Sequence, residues 1–317
     1  MEDFMRIFVL GNYMNAHFIH VDRLPGAGES LLAWRVFQEH GGKGLNLGVG
    51  LHRLGMAVDM LVAVGGDEAG ASVKRALVTE GMSTDYFLTL GETSGFGVGF
   101  IAPDGSNFLA AHLGANALLT PEHVNQASAA LDQAKWVMAH FEVPDVVILH
   151  AFRRAREQGI STYLNPSPWH PPAGNMLALT DLLIVNATEA ALLFDAPESA
   201  DWGLLEWSTY LPALVARIDW RGRMLVVTLA HLGCVALDAA GSTISSPAFI
   251  IQQVDATGAG DAFGCGLVYA LLQGLPLPDG LRVGNACGAY IAAREGILAH
   301  LPAQDDLADF LRTAVLD

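Results

Sequence analysis

The residues best suited to chemistry are concentrated in Val254-Asp255-Ala256-Thr257-Gly258-Ala259-Gly260-Asp261-Ala262-Phe263-Gly264. Small residues let backbone amides approach a phosphate closely, and the helix expected after them points its positive end at the same place. An anion site follows from that. A carboxylate at such a helix start repels the ligand unless it is there to take a proton, so Asp261 suggests phosphoryl transfer to a hydroxyl. The same residues also read as an ordinary Gly-rich turn with an Asp near a helix N-terminus.

A second stretch, Gly41-Gly42-Lys43-Gly44-Leu45-Asn46, is followed by Gly55 and Gly65. It is not a P-loop, because Gly44 stands where Ser or Thr must follow the Lys. Its glycines allow the backbone to press against a polyhydroxylated ligand that Lys43 and Asn46 can hydrogen-bond. A plain loop-to-helix start is the alternative. Asn186-Ala187-Thr188-Glu189, taken alone, reads as a helix cap with an acid in the first turn.

Elements that position these stretches are visible in the apolar pattern. Short apolar runs at Ile7 to Leu10, Asp59 to Val64, Trp136 to Ala139, Ser161 to Leu164, Leu182 to Val185 and Met224 to Leu229 have the rhythm of a parallel sheet. Between them, Leu45 to Leu54, Gly70 to Thr79, Pro121 to Leu131, Pro144 to Gln158 and Ala187 to Phe194 read as crossover helices covering both faces. Ala16 to Phe37 and Gly95 to Ala111 alternate as strands do, the latter around a Pro103-Asp104-Gly105-Ser106 turn, and together suggest a small β appendage. An apolar helix is expected from about Ala259, then a loop at Gly274 to Gly280, then a helix to about Arg294.

Composition narrows the function classes. The chain has 317 residues, 52% hydrophobic, with 17 Lys plus Arg against 33 Asp plus Glu and a formal charge of −16. That balance disfavours a polyanion-binding face, so nucleic acid is not an expected partner. Cys234, Cys265 and Cys287 include no CxxC pair and fit buried free thiols in a reducing compartment. No stretch approaches the roughly 20 apolar residues of a membrane span, and the acidic first residues do not read as an export signal, so no membrane role and a cytoplasmic setting are expected.

The two Gly-rich stretches together carry a resemblance. The chain resembles the ribokinase-like, or PfkB, family of carbohydrate and nucleoside kinases from about Ile7 to Pro302. GGKGLNLG with Gly55 and Gly65 is similar to the family's first signature, and DATGAGDAFGCGL to its second, more specific one. Asn186 to Glu189 resembles the NxxE motif, Thr228-Leu229-Ala230-His231-Leu232-Gly233 the nucleotide-binding TLGxxG, and Gly114-Ala115-Asn116 the segment closing the second lid strand.

That resemblance implies a Rossmann-like α/β fold with a central, mostly parallel sheet flanked by helices. Residues 1–317 would form one kinase domain, with a small β-sheet lid at about 12–37 and 95–112. It implies ATP-dependent phosphorylation of a sugar-like hydroxyl, with Asp261 as base and the amides of Gly258, Ala259 and Gly260 as an anion hole. By similarity, Asn186 and Glu189 act on Mg²⁺ and the ATP phosphates through waters, and Thr228, Gly233 and Asn285 contact the nucleotide alongside Gly258 and Gly260. Asp255 and Thr257, with carbonyls around Ile291, Arg294 and Gly296, match the positions that hold a monovalent cation such as K⁺ in relatives. The acceptor site is matched by Asn15, Gly42, Lys43, Asn46, Glu142 and Asp261. A homodimer joined through the lid is also implied.

The N-terminal strand departs from the pattern. Ribokinases carry an Asp two residues after the Asn; here that position is His17, and one extra residue lies between Gly11 and Asn15. Leu45, Leu47, Gly48 and Ala230 also differ from common family residues. His17 therefore signals a different sugar, a phosphosugar or a nucleoside, or else a lid residue without a ligand role. The competing functional classes are a non-catalytic sugar- or nucleotide-binding regulator on the same fold, and a dinucleotide oxidoreductase. Phe263 in place of the third Gly of GxGxxG disfavours the latter.

Overall fold

The computed structural model describes residues 5–103 and 107–316. Thirteen strands and ten α-helices run in chain order among these residues. The first half comprises β1 (Arg6–Leu10), β2 (Met14–His20), β3 (Arg35–Gly41), α1 (Lys43–Arg53), β4 (Ala57–Val64), α2 (Glu68–Thr79), β5 (Phe87–Thr89), β6 (Gly95–Ile101), β7 (Asn107–His112), α3 (Pro121–Gln126) and α4 (Ser128–Leu131). The second comprises β8 (Trp136–His140), α5 (Asp145–Glu157), β9 (Ser161–Asn165), β10 (Leu182–Asn186), α6 (Ala187–Leu193), α7 (Leu204–Val215), β11 (Met224–Thr228), β12 (Cys234–Asp238), β13 (Thr243–Ser246), α8 (Ala259–Leu272), α9 (Leu277–Ala292) and α10 (Gln304–Thr313).

Nine strands form one sheet in the order β13-β12-β11-β10-β9-β8-β1-β4-β5. It is parallel from β5 to β11, and β12 and β13 are antiparallel additions at one edge. Its parallel strands are nearly continuous apolar runs because both faces are covered. Ile7, Val9, Met138, Ile184 and Val226 pack with Leu45 and Val49 of α1, Leu267 of α8 and Val283 of α9. Their alternating neighbours Phe8, Leu10, Val137, Leu183, Val185 and Val227 pack with Val124 of α3, Val147 of α5, Ala190 of α6 and Trp207 of α7. From β1 the winding goes outward to β4 on one side and β8 on the other. Ligands of open α/β sheets bind outside the strands' carboxyl ends at such a reversal.

The smaller sheet has the order β3-β2-β6-β7. Asn15 pairs with His40 and His17 with Gln38 across β2 and β3, and with Phe96 and Val98 across β2 and β6, so these residues share one face. Its strands are those expected of the β appendage, although the first stretch is two strands separated by a long loop, and β3 runs on to Gly41. The turn expected at Pro103 to Ser106 lies, after Pro103, outside the described residues.

Three expectations shift. The helix expected over Pro121 to Leu131 breaks at Ala127, whose φ and ψ of −93° and 7° leave the helical well. The loop expected to last until Gly280 ends earlier, because Pro278 sits in the first turn of α9, where its missing N–H has no intrahelical partner to lose. The strand expected from Asp59 begins at Ala57. Among the described residues no helix is long and apolar enough to cross a membrane. All three cysteines are free and buried.

Candidate active site

The first turn of α8 holds Asp261. Gly258, at φ 77°, caps that helix in a left-handed conformation that other residues adopt only with strain. Ala259 N–H bonds the Ala256 carbonyl at 3.2 Å, so this amide of the expected anion hole is already engaged in the turn. Gly260 and Asp261, the next two positions, have no backbone acceptor among the described residues, as helix geometry dictates. A Cβ built on Gly260 would meet nothing within 4 Å, so the space beside its Cα is open.

Asp261 is buried, yet both carboxylate oxygens are addressed. Asn46 Nδ2 donates to Oδ2 at 2.8 Å, and Lys43 Nζ lies 3.7 Å from Oδ1. The Asp261 charge raises the Lys43 ammonium against the opposing effect of burial, with Glu142 and Glu189 adding to the rise. Asn46 Oδ1 is buried and has no hydrogen-bond partner among the described residues. Since an ionised carboxylate only accepts, the Asn46 amide must turn its NH₂ to Asp261, which leaves the carbonyl facing away.

Lys43 and Asn46 belong to α1, whose N-terminus is capped from elsewhere in the chain. Glu142, just after β8, accepts from Lys43 N at 3.0 Å and from Asn12 Nδ2 at 2.8 Å, both on Oε2. Asn12, just after β1, accepts from Gly44 N at 2.8 Å through Oδ1. Burial pushes the Glu142 carboxyl up, against the pull of Lys43. His140 completes the layer: Glu142 N donates to its Nδ1 at 3.1 Å, so the proton sits on Nε2, which donates to the Leu10 carbonyl at 3.1 Å. Full burial, helped by the Lys43 charge, pushes this imidazole down to about 3. Gly44 is obligatory here, since a Cβ would lie 2.5 Å from Asn12 N and 2.6 Å from Gly11 Cα.

A cavity of about 930 Å³ opens from Asp261 along the carboxyl ends of β9, β10 and β11. It brings together Lys43, Asn186, Glu189, Thr228, Gly233, Asn285 and the Gly258 to Asp261 turn. Asn186 and Glu189 form a reciprocal cap on α6, at 2.8 and 3.0 Å, as the local reading of NATE anticipates. Asn285 is buried rather than a surface helix position; its Nδ2 donates to Ser246 O, Ser246 Oγ and Pro247 O at 3.0–3.1 Å. Ala230, at the rim, has φ 50°, a left-handed conformation that Gly would adopt without strain.

Other residues singled out by sequence lie outside this cavity's lining. Asn15 and His17 stand on β2, where Asn15 Oδ1 accepts from Gln38 Nε2 at 2.6 Å. Gly42, Asn46 and Glu142 sit behind Lys43. Asp255 Oδ1 accepts from Thr257 N at 2.9 Å and Thr257 Oγ1 at 2.6 Å. The Ile291 carbonyl accepts from Arg294 N at 2.9 Å, and Gly296 turns at φ 86°. Asn12 and His140 went unread in the sequence. Only the second Asn in Gly11-Asn12-Tyr13-Met14-Asn15 hints at the former.

Similarity to known proteins covers nearly the whole chain. The sequence profile of the pfkB family carbohydrate kinases matches residues 5–304. The chain is 30% identical to the ribokinase of Haemophilus influenzae over 307 residues, covering 96% of this chain and 98% of that protein. It is 27% identical to a deoxyribokinase of Salmonella typhi, covering 97% and 99%. Its fold matches that of Arabidopsis thaliana ribokinase complexed with ribose and ATP at a TM-score of 0.86 and 23% identity, covering 96% and 98%.

Proposed function

The chain belongs to the pfkB family of carbohydrate kinases and is a phosphotransferase, and we propose that it moves the γ-phosphoryl group of ATP to a hydroxymethyl group of a ribose- or fructose-like sugar. One observation supports the reading most: a buried carboxylate, Asp261, is held by Asn46 and Lys43 at a helix start whose Gly260 and Asp261 amides have no backbone acceptor among the described residues. The ribokinase and deoxyribokinase relatives favour a pentose acceptor, and the solved relative with ribose and ATP has the same fold.

In this reading Asp261 accepts the proton of the acceptor hydroxyl as its oxygen bonds the γ-phosphorus. The bond from that phosphorus to the β–γ bridging oxygen breaks, and ADP keeps the electron pair. Charge on the phosphoryl oxygens is met by the amides of Gly258, Gly260 and Asp261, and by Ala259 if its turn opens. Positioning supplies the rest of the acceleration, since phosphoryl transfer asks for no covalent chemistry from the protein. Thr228, Gly233 and Asn285 hold the nucleotide end of the cavity. Asn15, His17, Gly42, Lys43, Asn46 and Glu142 surround the acceptor.

Among the described residues no cluster of three or more His, Cys, Asp or Glu could chelate a metal. Asn186 and Glu189, which line the cavity, fit a hydrated Mg²⁺ carried largely by ATP oxygens and would act on it through water. When bound, Mg²⁺ neutralises charge on the β- and γ-phosphates. Asp255, Thr257 and the carbonyls of Ile291, Arg294 and Gly296 are the proposed K⁺ site. The proposal extends to one kinase domain with the smaller sheet as its lid, working in the cytoplasm as a homodimer joined through that lid.

ADP release with MgATP and KCl, measured across ribose, deoxyribose, fructose, other sugars, phosphosugars and nucleosides, tests this reading. Turnover on a pentose or ketohexose supports it. Turnover confined to nucleosides establishes a nucleoside kinase, and ATP binding without turnover on any acceptor points to a regulator.

A further inference from the structure

The smaller sheet reaches the α8 loop through β3. Arg35 and Glu39 lie on one face of that strand by alternation, and both address the segment that follows α9. Arg35 pairs with Glu295 through two hydrogen bonds of 2.6 and 2.9 Å. Both partners are exposed, so water screens most of what the pair contributes. Glu39 is half-buried, and its Oε2 accepts from the Ile297 backbone N–H at 3.0 Å. A charge-assisted bond withdrawn from water is the stronger of the two tethers.

Ile297 carries the contact onward. Its side chain is buried, and its Cγ2 lies 2.5 Å from where a Cβ on Gly258 would stand, so it rests on the Gly258 backbone itself. Gly258 is the left-handed cap whose geometry aims the first turn of α8, and with it the Gly260 amide and Asp261. The neighbouring backbone is braced as well, because Val254 N and Asp255 N both donate to the Ala292 carbonyl. A continuous chain of contacts thus runs from the sheet that carries Asn15 and His17, through Glu39 and Ile297, to the residue that opens the catalytic helix.

We propose that Glu39 is a positioning residue for phosphoryl transfer: by holding the Ile297 amide it seats the Ile297 side chain on Gly258 and sets the α8 turn in register with the smaller sheet. The inference rests on the reading of the α8 turn as the catalytic one. Glu39 does not touch the reacting groups; it acts through Ile297. Burial, and then the nearby carboxylates Asp255 and Glu295, discourage its charge, against the pull of the Ile297 N–H.

The test uses the full chain with kcat and KM measured separately for ATP and acceptor. Glu39→Met keeps the stem but removes the acceptor atom, whereas Glu39→Gln keeps a carbonyl for Ile297 N. A misplacement of ångström order can cost up to about 100-fold in rate, so Glu39→Met should lower kcat by roughly 10-fold with acceptor KM within about twofold. Glu39→Gln should recover most of that loss. Ile297→Ala should lower kcat similarly, and the double variant Glu39→Met with Ile297→Ala should be no slower than the worse single variant, because both break one chain of contacts. Normal kcat in Glu39→Met, or losses that multiply in the double variant, overturns the inference. Asp261→Ala, run alongside, separates the two readings: if it stays active the catalytic assignment fails, and if it is inactive while Glu39→Met is normal only the role of Glu39 fails.

Discussion

Asn46 and Asp261, 215 positions apart, share a buried hydrogen bond of 2.8 Å that joins the first turns of α1 and α8. It connects the two Gly-rich stretches of the sequence into one site. The bond fixes the Asn46 amide, since only its NH₂ can serve an ionised carboxylate, and leaves Oδ1 buried without a partner among the described residues. A buried acceptor left unsatisfied costs about 1–3 kcal/mol, which the bond to Asp261 has to offset. The same side chain thus orients the Asp261 carboxylate from behind the cavity.

Asp261→Ala should lower kcat by at least roughly 100-fold, the lower range for loss of a general base, with a far-ultraviolet spectrum like that of the parent chain. Removing the carboxylate also frees Lys43 and Asn46 of their shared partner, so KM for the acceptor is expected to change as well. Steady-state ADP release checks this. Near-normal turnover yielding the correct phosphosugar would remove Asp261 from the role.

Gly44→Ala should destabilise the fold by about 1–3 kcal/mol, the cost of forcing extra volume into a packed site. The obstruction is backbone, Asn12 N at 2.5 Å and Gly11 Cα at 2.6 Å, with His140 Nε2 also at 2.6 Å, so no flexible side chain can swing away. Opening that contact would pull Gly44 N from Asn12 Oδ1 and loosen the cap on α1. Urea unfolding measures the difference, and a midpoint equal to that of the parent chain would show that β1 and α1 can part without cost.

Much of this architecture is legible before any coordinates. The parallel strands announce themselves as apolar runs because helices cover both faces of the sheet, and the Gly-rich stretches fall where strand ends meet helix starts. What escapes is set by tertiary context. The β12–β13 hairpin has short strands at a sheet edge, and α7 carries Pro212 inside its apolar pattern. His140 carries no local signal and Asn12 only a faint one, since their importance comes from α1 docking on the ends of β1 and β8. NATE shows the converse: its capping geometry is fully local, and only the fold places it beside the cavity.

Glu142→Gln should stabilise the protein at neutral pH while impairing acceptor binding. The Glu142 carboxyl is raised in the fold by burial, so its contribution to stability is present below the ordinary carboxylate range and is lost as pH climbs through the raised value. Above the ordinary carboxylate range burial disfavours its charged form, a cost that a neutral amide lacks. The variant is expected to melt about 1–3 °C higher at pH 7, with the gap closing towards about pH 4. A lower melting point at pH 7 would mean that Asn12 and Lys43 more than compensate for the buried charge.

His140→Gln should flatten the acid limb of the stability curve. The imidazole titrates near about 6.5 in an unfolded chain but is pushed down to about 3 in the fold, chiefly by burial and then by the Lys43 charge. A depressed value gives stability that is complete above about pH 6.5 and falls as the pH drops towards 3, because the unfolded chain takes up a proton that the folded one refuses. The slope is about 1.4 kcal/mol per pH unit over that window. Gln can accept from Glu142 N and donate to the Leu10 carbonyl without titrating, so the variant should keep the contacts and lose the slope. Urea unfolding at pH 7.5, 6.5, 5.5 and 4.5, values chosen to span about two pH units below the free imidazole, measures both chains. Glu142, which stabilises on acidification, is common to both and cancels in the comparison. Parallel curves for the two chains would place the proton acceptor of acid unfolding somewhere other than His140.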